Sequence, residues 1–397
     1  MKKLVQFGAG NIGRSFIGQL FARSSHEVVF VDVSGALVRA LNEKKEYRLV
    51  VKRNDREDEI IPVRNVRAVD GTDADAVARE LADADFAATS VGKNALRFVF
   101  PNLARGIALR GKTHPGRPLD IIIAENIHGG AAYFSKELAS LLPPDFPLGE
   151  RIGLVETSIG KMVPIMRAED LETDPLWVFS EEYNELIVDG SGFRGPLPAI
   201  PSLKPVADIG AYVDRKLFVH NMGHAAVAYL GHARDASLVF IWQALELPDV
   251  AEGAERAMRQ SAAALVAEYP AVFTRESLGA HIADLLYRFR NRALGDTMFR
   301  VGRDLGRKLD KSDRLIGAAL LAEKHGLPWD GIEGAIRAAV DFRGTDEWGN
   351  LFPADAVFAS NAEGKTIEEI VKEAGRLDER VPEEKKVIER FRRKTSA

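Results

Sequence analysis

Leu4-Val5-Gln6-Phe7-Gly8-Ala9-Gly10-Asn11-Ile12-Gly13 opens the chain with a short apolar strand that runs straight into a G-x-G-x-x-G turn. Ile12 to Arg23 then carries apolar residues at helical spacing. Strand, glycine turn and helix in that order make a pyrophosphate cradle. Gly8 permits the tight turn, Gly10 lets backbone amides close on phosphate at the helix start, and Gly13 lets helix and strand pack closely. A second strand, Glu27 to Val31, ends in Asp32, about 20 residues after the turn, where a carboxylate accepts from the adenosine ribose hydroxyls. The predicted cofactor set is therefore Gly8, Ala9, Gly10, Asn11, Ile12, Gly13 and Asp32. A carboxylate at this position repels a 2′-phosphate, which favours NAD over NADP. The plain alternative is a strand, turn and helix with a solvated aspartate.

The pattern continues as α/β. Helix signals follow from Ala36 to Asn42, and Tyr47 to Lys52 with Glu59 to Val69 read as an inserted strand pair. Asp73 opens a helix to Asp83. The strand from Asp85 ends in Ser90-Val91-Gly92, and small residues at Val91 and Gly92 would let a dinucleotide lie against backbone. Pro101 marks the start of the next helix or a kink in it. Ile121-Ile122-Ile123 reads as a buried parallel strand. Asn126, just past it, is either a cap for the helix beginning near Gly129 or a donor to a substrate oxygen. Ile152 to Glu156 is a further strand, Trp177 to Val188 one more strand or a hairpin, and Gly190 to Pro205 a Gly- and Pro-rich linker. After Ala207 the signals are helical throughout, from 207–231, 236–247 and 249–268 through 296–307 to 382–394. The expected architecture is a Rossmann-type doubly wound sheet over residues 1–205, then a mostly α-helical substrate domain over 206–397.

Composition narrows the function classes. The chain has 397 residues, 46% hydrophobic, enough to bury two cores. A net charge of -4 with mixed signs gives no electrostatic footprint for nucleic acid, and no apolar run is long enough to span a membrane. There is no cysteine, which excludes disulfides, thiolate catalysis and Cys-ligated metals. The expectation is a soluble cytoplasmic protein acting on a small molecule. The basic tail, Arg390 to Lys394, reads as a solvated helix end.

The second informative stretch is Arg215-Lys216-Leu217-Phe218-Val219-His220-Asn221-Met222-Gly223-His224, inside what reads as one long buried helix. On an α-helix His220, His224 and Asn221 lie at about 40°, 80° and 140° from Lys216. Gly223 beside them would leave room for something to approach the backbone. Burying an amine, an amide and two imidazoles costs several kcal/mol unless they are paired. Three readings compete. One is satisfied core polar groups. Another is a metal on His220 and His224, against which Asn221 stands where a zinc-protease helix carries glutamate. The last is an acid/base site in which a desolvated lysine takes a proton while amide and imidazole hold an oxygen.

Taken together, the Phe7 to Gly18 stretch and Arg215-Lys216-Leu217-Phe218 with Asn221, Gly223 and His224 resemble the polyol-specific long-chain dehydrogenase/reductase family, the mannitol dehydrogenases. The likeness extends to Glu125-Asn126, to Phe193 to Pro201, and to Arg307-Lys308-Leu309 with Asp313-Arg314-Leu315-Ile316. It implies a metal-independent, NAD-dependent oxidation of a polyol or polyol phosphate. Mannitol 1-phosphate with fructose 6-phosphate leads, and a free polyol or hexuronate follows. By the same resemblance Lys216 is the general base, Asn126 and Asn221 hold the reacting oxygen, and His224 orients substrate. His220 stands where the family has an apolar residue. An anionic substrate needs cations, and Arg303, Arg307, Lys308 and Arg314 are the expected phosphate donors, with Arg215 beside the base. One departure is Ile159-Gly160-Lys161-Met162, where relatives have Val-Asp-Arg-Ile; either a different polyol or a replacement such as Glu156 follows. The competing class is a dinucleotide-binding redox sensor, which would need no base.

Overall fold

Lys2–Phe7 forms β1, and its alternate side chains serve two cores in the computed structural model, which describes residues 1–164, 166 and 168–392. Leu4 packs with Phe16, Ile17, Val28, Phe30 and Tyr47. Val5 and Phe7 pack with Val29, Val31, Leu81, Leu96 and Phe100. Burial on both faces explains why the central strands read as continuous apolar runs. Each fully buried Leu, Val or Phe contributes on the order of 1.5–3 kcal/mol.

The other strands are β2 (His26–Asp32), β3 (Glu46–Val51), β4 (Glu59–Arg64), β5 (Val66–Asp70), β6 (Phe86–Thr89), β7 (Leu119–Ile123), β8 (Ile152–Ser158), β9 (Val178–Ser180), β10 (Leu186–Asp189) and β11 (Leu203–Val206). The main sheet has the order β11-β10-β8-β7-β6-β1-β2-β5, and a smaller one the order β4-β3-β9. β1 pairs in parallel with β2 on one side and β6 on the other. The winding reverses there, so the carboxyl end of β1 is the switch point where ligands bind in such sheets. The glycine turn leaves β1 at that end.

Several expectations are corrected. The stretch Glu59 to Val69 is two strands, parted at Asn65 with φ 61°, and only β4 pairs with β3. β5 crosses to the main sheet beside β2. Trp177 to Val188 is no hairpin: β9 joins β3 in parallel, while β10 runs antiparallel to β8. Nor is Gly190 to Pro205 a free linker. Its end forms β11, an edge strand that tolerates Pro205 because an edge has amides to spare. The buried carboxylate of Asp120 anchors the segment by accepting from the amides of Arg194 at 2.7 Å and Gly195 at 3.1 Å. Pro101 lies within the Leu96–Thr113 helix rather than at its start.

The chain divides into Met1–Ile209 and Gly210–Ala397. In the second unit the expected long helix is Ile209–Arg215 and Met222–Arg234 joined by a π-helical turn, Lys216–Asn221. It packs with the Pro248–Glu268 and Asp330–Val340 helices. Gly223 serves that packing: a Cβ there would come within 2.5 Å of Met258 Sδ, so its missing side chain admits a neighbouring helix and not a ligand. The expected 296–307 helix breaks into Met298–Gly302 and Leu305–Lys308 around Asp304, whose φ is 73°. A Pro353–Ala362 helix was not foreseen, because its apolar residues are not gathered on one side. Of the basic tail, Arg390 and Arg392 pair with Glu333 and Glu368, and Arg393 and Lys394 lie outside the described residues. Among the described residues no helix is long and apolar enough to cross a membrane.

Candidate functional site

The glycine turn is built by exclusion. Gly8 has φ 89°, and a Cβ on it would meet the Ser90 carbonyl at 2.7 Å; one on Gly13 would meet the Gly8 carbonyl at 2.0 Å. Gly10 differs, with nothing within 4 Å of the position a Cβ would take. Two glycines therefore close the turn, and the third leaves open space beside the backbone. Ala9 is fully buried, whereas Gly10 and Asn11 are exposed and Ile12 is half-buried. Asp32 spans the turn: Oδ2 accepts the Ala9 amide at 2.8 Å and Oδ1 the Ser34 amide at 2.9 Å. The amide of Gly8 bonds the Val31 carbonyl. The amides left for a phosphate are those at the helix start, which lack intrahelical acceptors. This geometry fits a dinucleotide.

Two buried residues complete the turn. Arg14 donates from Nε to the Ala9 carbonyl at 2.7 Å and from Nη1 to the Leu176 carbonyl at 3.0 Å. Glu125 accepts the amides of Val91 and Gly92, both at 2.9 Å. Burial pushes the Glu125 carboxyl above the usual range, against those two bonds. The Val91 and Gly92 amides are thus spent inside the protein. Gly92, with φ 84° and open space at its Cβ position, leaves its Cα uncovered, while its carbonyl accepts the Ala95 amide at 3.0 Å. Asn126 is exposed and does not cap the following helix, whose N-cap is Gly129. Glu156 instead accepts the Ala131 amide of that helix's first turn at 2.8 Å.

In the second unit the π turn carries the polar cluster. Its i→i+5 bonding widens the backbone, so α-helical angles do not hold from Lys216 to Asn221. Ser261 Oγ donates to the Phe218 carbonyl at 2.7 Å, giving one carbonyl of the widened turn a buried partner. The Lys216 amine is pushed down to about 8, first by burial and then by the Arg314 guanidinium. His224 stacks on Phe289 at 4.5 Å with the rings 9° apart, and its Nε2 faces Asp296 Oδ2 at 3.3 Å. Burial lowers its imidazole to about 3, with Arg300, Lys308, Arg314 and Arg288 adding repulsion. His220 is buried against the same phenyl ring at 5.7 Å and held well below its ordinary value by burial. Among the described residues no group of three or more His, Cys, Asp or Glu side chains is placed to hold a metal ion.

The expected phosphate cations separate. Arg303 sits in the break between two helices, its guanidinium near the Phe299 and Phe352 rings, so it shares no helical face with Arg307. Arg307 is paired to Asp304 and Asp313. Lys308 is buried, donates to the Val301 carbonyl, and is lowered to about 7 by burial and then by Arg314. Arg314 uses Nε on Asp313 at 2.8 Å, and its Nη atoms have no protein hydrogen bond among the described residues. The Arg314 charge is the strongest repulsion on Lys216 and on Lys308, and it acts on His224 after Arg300 and Lys308. At the departure noted above, Lys161 turns inward to the carbonyls of Glu181 and Tyr183, and Tyr183 Oη lies 3.4 Å from where a Gly160 Cβ would be. Asp296 and Phe289 carried no sequence signal for these roles, because each acts through His224, distant in the chain; Glu125 and Arg14 lie in stretches that carried the resemblance, but their hydrogen-bond partners were not readable from it.

A Rossmann sheet with a glycine turn at its switch point, and a helical unit with a half-buried amine, amide and imidazole along the π turn and the helix after it, define a two-domain oxidoreductase. The chain belongs to the mannitol dehydrogenase family, whose members act on secondary alcohols: residues 2–202 match the mannitol dehydrogenase Rossmann domain and 208–397 the mannitol dehydrogenase C-terminal domain. It is 36% identical over 340 residues to the mannitol-1-phosphate 5-dehydrogenase of Brevibacillus brevis, covering 85% of each chain. It is 35% identical over 346 residues to that of Bacillus subtilis, covering 86% of this chain and 89% of the relative. Among solved structures, Pseudomonas fluorescens mannitol 2-dehydrogenase, a ternary complex with NAD and D-mannitol, matches the fold with a TM-score of 0.71 at 15% identity, over 98% of this chain and 91% of that one. A substrate-free D-sorbitol dehydrogenase matches with a TM-score of 0.75 at 16% identity, over 98% and 92%.

Proposed function

We propose that the chain catalyses the reversible, NAD-dependent oxidation of mannitol 1-phosphate to fructose 6-phosphate, without a metal, with Lys216 as general base. The observation that carries this reading is the Lys216 amine on the π turn, lowered to about 8 by burial and Arg314. An ordinary lysine, near 10.4, is protonated at neutral pH and accepts nothing. One near 8 lies in the useful range for proton transfer in both directions. In oxidation neutral Lys216 accepts the alcohol proton; in reduction its ammonium returns it. Asn221 and Asn126 donate to the reacting oxygen as charge develops on it. His224 orients a substrate hydroxyl. Gly8, Ala9, Gly10, Asn11, Ile12, Gly13, Asp32, Val91 and Gly92 hold the dinucleotide, which supplies the hydride acceptor. The NAD preference rests on Asp32, and the phosphorylated substrate on the names of the two relatives and on the Lys308 and Arg314 cations.

Initial rates with NADH and a panel of fructose 6-phosphate, fructose and a keto-hexuronate test the reading. Fructose 6-phosphate is expected to lead in kcat/KM by at least tenfold. A lead for either unphosphorylated substrate would move the assignment to a free polyol or hexuronate. Tight NADH binding with no turnover on any of them would overturn the enzyme reading.

A further inference from the structure

We infer that Asp296 is a positioning residue that fixes His224 as the Nε2–H tautomer, so that Nδ1 presents a lone pair to a hydroxyl of the substrate. The inference rests on the proposed substrate role of His224 and deepens it.

Asp296 is buried, at 6% exposure, and an ionised carboxylate only accepts hydrogen bonds. One of its oxygens pairs with Arg300; the other lies 3.3 Å from His224 Nε2. The contact falls short of hydrogen-bond geometry, yet among the described residues Asp296 is the one ion-pair partner of His224. Such bonds are often long in a free enzyme and tighten with substrate. The backbone holds the carboxylate in place from both sides. The Asp296 carbonyl accepts the Ile241 amide at 3.0 Å, and Phe240 bridges Thr297.

Phe289 holds the ring. Stacking at 4.5 Å and 9° fixes the imidazole plane, and turning the ring over would replace Nε2 by carbon opposite the carboxylate. Burial and the surrounding cations keep the ring neutral, so it has one N–H and one lone pair to place. A lone pair on Nε2 would face a negative oxygen, whereas N–H there meets an acceptor. The proton therefore belongs on Nε2, and the hydrogen bond one nitrogen makes sets the chemistry of the other. Nδ1 accepts. A polyol or its ketose offers hydroxyl protons to such an acceptor, and a ligand without a hydroxyl at that position loses the contact.

The test is nitrogen-15 NMR of the histidine-labelled full chain, with His224 identified from the signal missing in His224→Gln, alongside steady-state kinetics of Asp296→Asn and Asp296→Glu. Wild-type His224 should show the Nε2–H tautomer. Asparagine can donate to Nε2, so Asp296→Asn should shift His224 toward Nδ1–H. It should also lower kcat/KM for the ketose by about 10–100-fold, the range known for losing the carboxylate partner of a metal-bound histidine, with the NADH dissociation constant within twofold. Asp296→Glu should recover part of the loss. A wild-type Nδ1–H tautomer would overturn the inference even if neither Asp296 variant folds. A switched tautomer with unchanged kcat/KM would overturn its substrate half. Both results are independent of Lys216, whose assignment stands or falls on its own variant.

Discussion

The Asp32 carboxylate accepts the Ala9 amide at 2.8 Å, so the residue expected to read the ribose also clamps the glycine turn. Hydrogen bonds to charged groups contribute about 1.5–3 kcal/mol. Asp32→Ala should therefore do two things at once. It should raise the NADH dissociation constant at least tenfold, and it should narrow the preference for NADH over NADPH by removing the charge that repels a 2′-phosphate. Equal wild-type kcat/KM with the two cofactors would sink the preference.

Gly10 and Gly13 should respond oppositely to alanine. Open space surrounds Gly10, so Gly10→Ala should melt close to wild type yet bind NADH much more weakly. At Gly13 the added carbon would lie 2.0 Å from the Gly8 carbonyl, so Gly13→Ala should unfold or lose several kcal/mol of stability. Titration and thermal melts of the pair separate a ligand-facing glycine from a packing one. A wild-type NADH affinity in Gly10→Ala would show that its open face is not used.

Lys216→Ala should lower turnover on the order of 10²–10⁴ while NADH still binds, and primary amines should restore part of the rate. Wild-type oxidation requires the neutral amine, so its rate should rise with pH through about 8; reduction requires the ammonium and should fall through the same region. Stability carries the same sign. The folded pKa, near 8, lies below the unfolded value, so the unfolded chain binds more protons between the two and stability rises with pH there. Lys216→Met should accordingly be more stable than wild type at pH 7, by on the order of 1–3 kcal/mol, and the gain should vanish toward pH 11. Near wild-type turnover of Lys216→Ala at pH 7 would falsify the base assignment.

Arg314 and Arg307 should separate on substrates. Arg314→Ala should raise KM for fructose 6-phosphate at least tenfold more than for fructose, since its guanidinium retains unused donors beside Lys308 and His224. Arg307→Ala should affect both substrates alike, because Asp304 and Asp313 already hold that guanidinium. The reverse pattern would return phosphate recognition to Arg307.

The glycine turn, Asp32 and the apolar strands were legible in the sequence because their reasons are local. A strand–turn–helix needs small residues at fixed positions, and strands covered on both faces need apolar side chains throughout. The same holds for the polar arc at Lys216, Asn221 and His224, which stands out against Ala, Val and Leu. What the tertiary structure alone decided was set by partners remote in the chain. The order of strands placed β5 beside β2 and turned an apparent linker into β11, because an edge accepts a strand with a proline. In the π turn Ser261 meets the Phe218 carbonyl, and propensity for an α-helix carries no trace of that bond. Asp296 and Phe289 were invisible for the same reason: a lone aspartate after Gly295 and a phenylalanine ending a helix acquire their roles only when the fold brings both to His224. Local sequence fixes which backbone conformations are cheap, whereas long-range packing fixes which side chains share a buried, low-dielectric site, and there proton affinities are set.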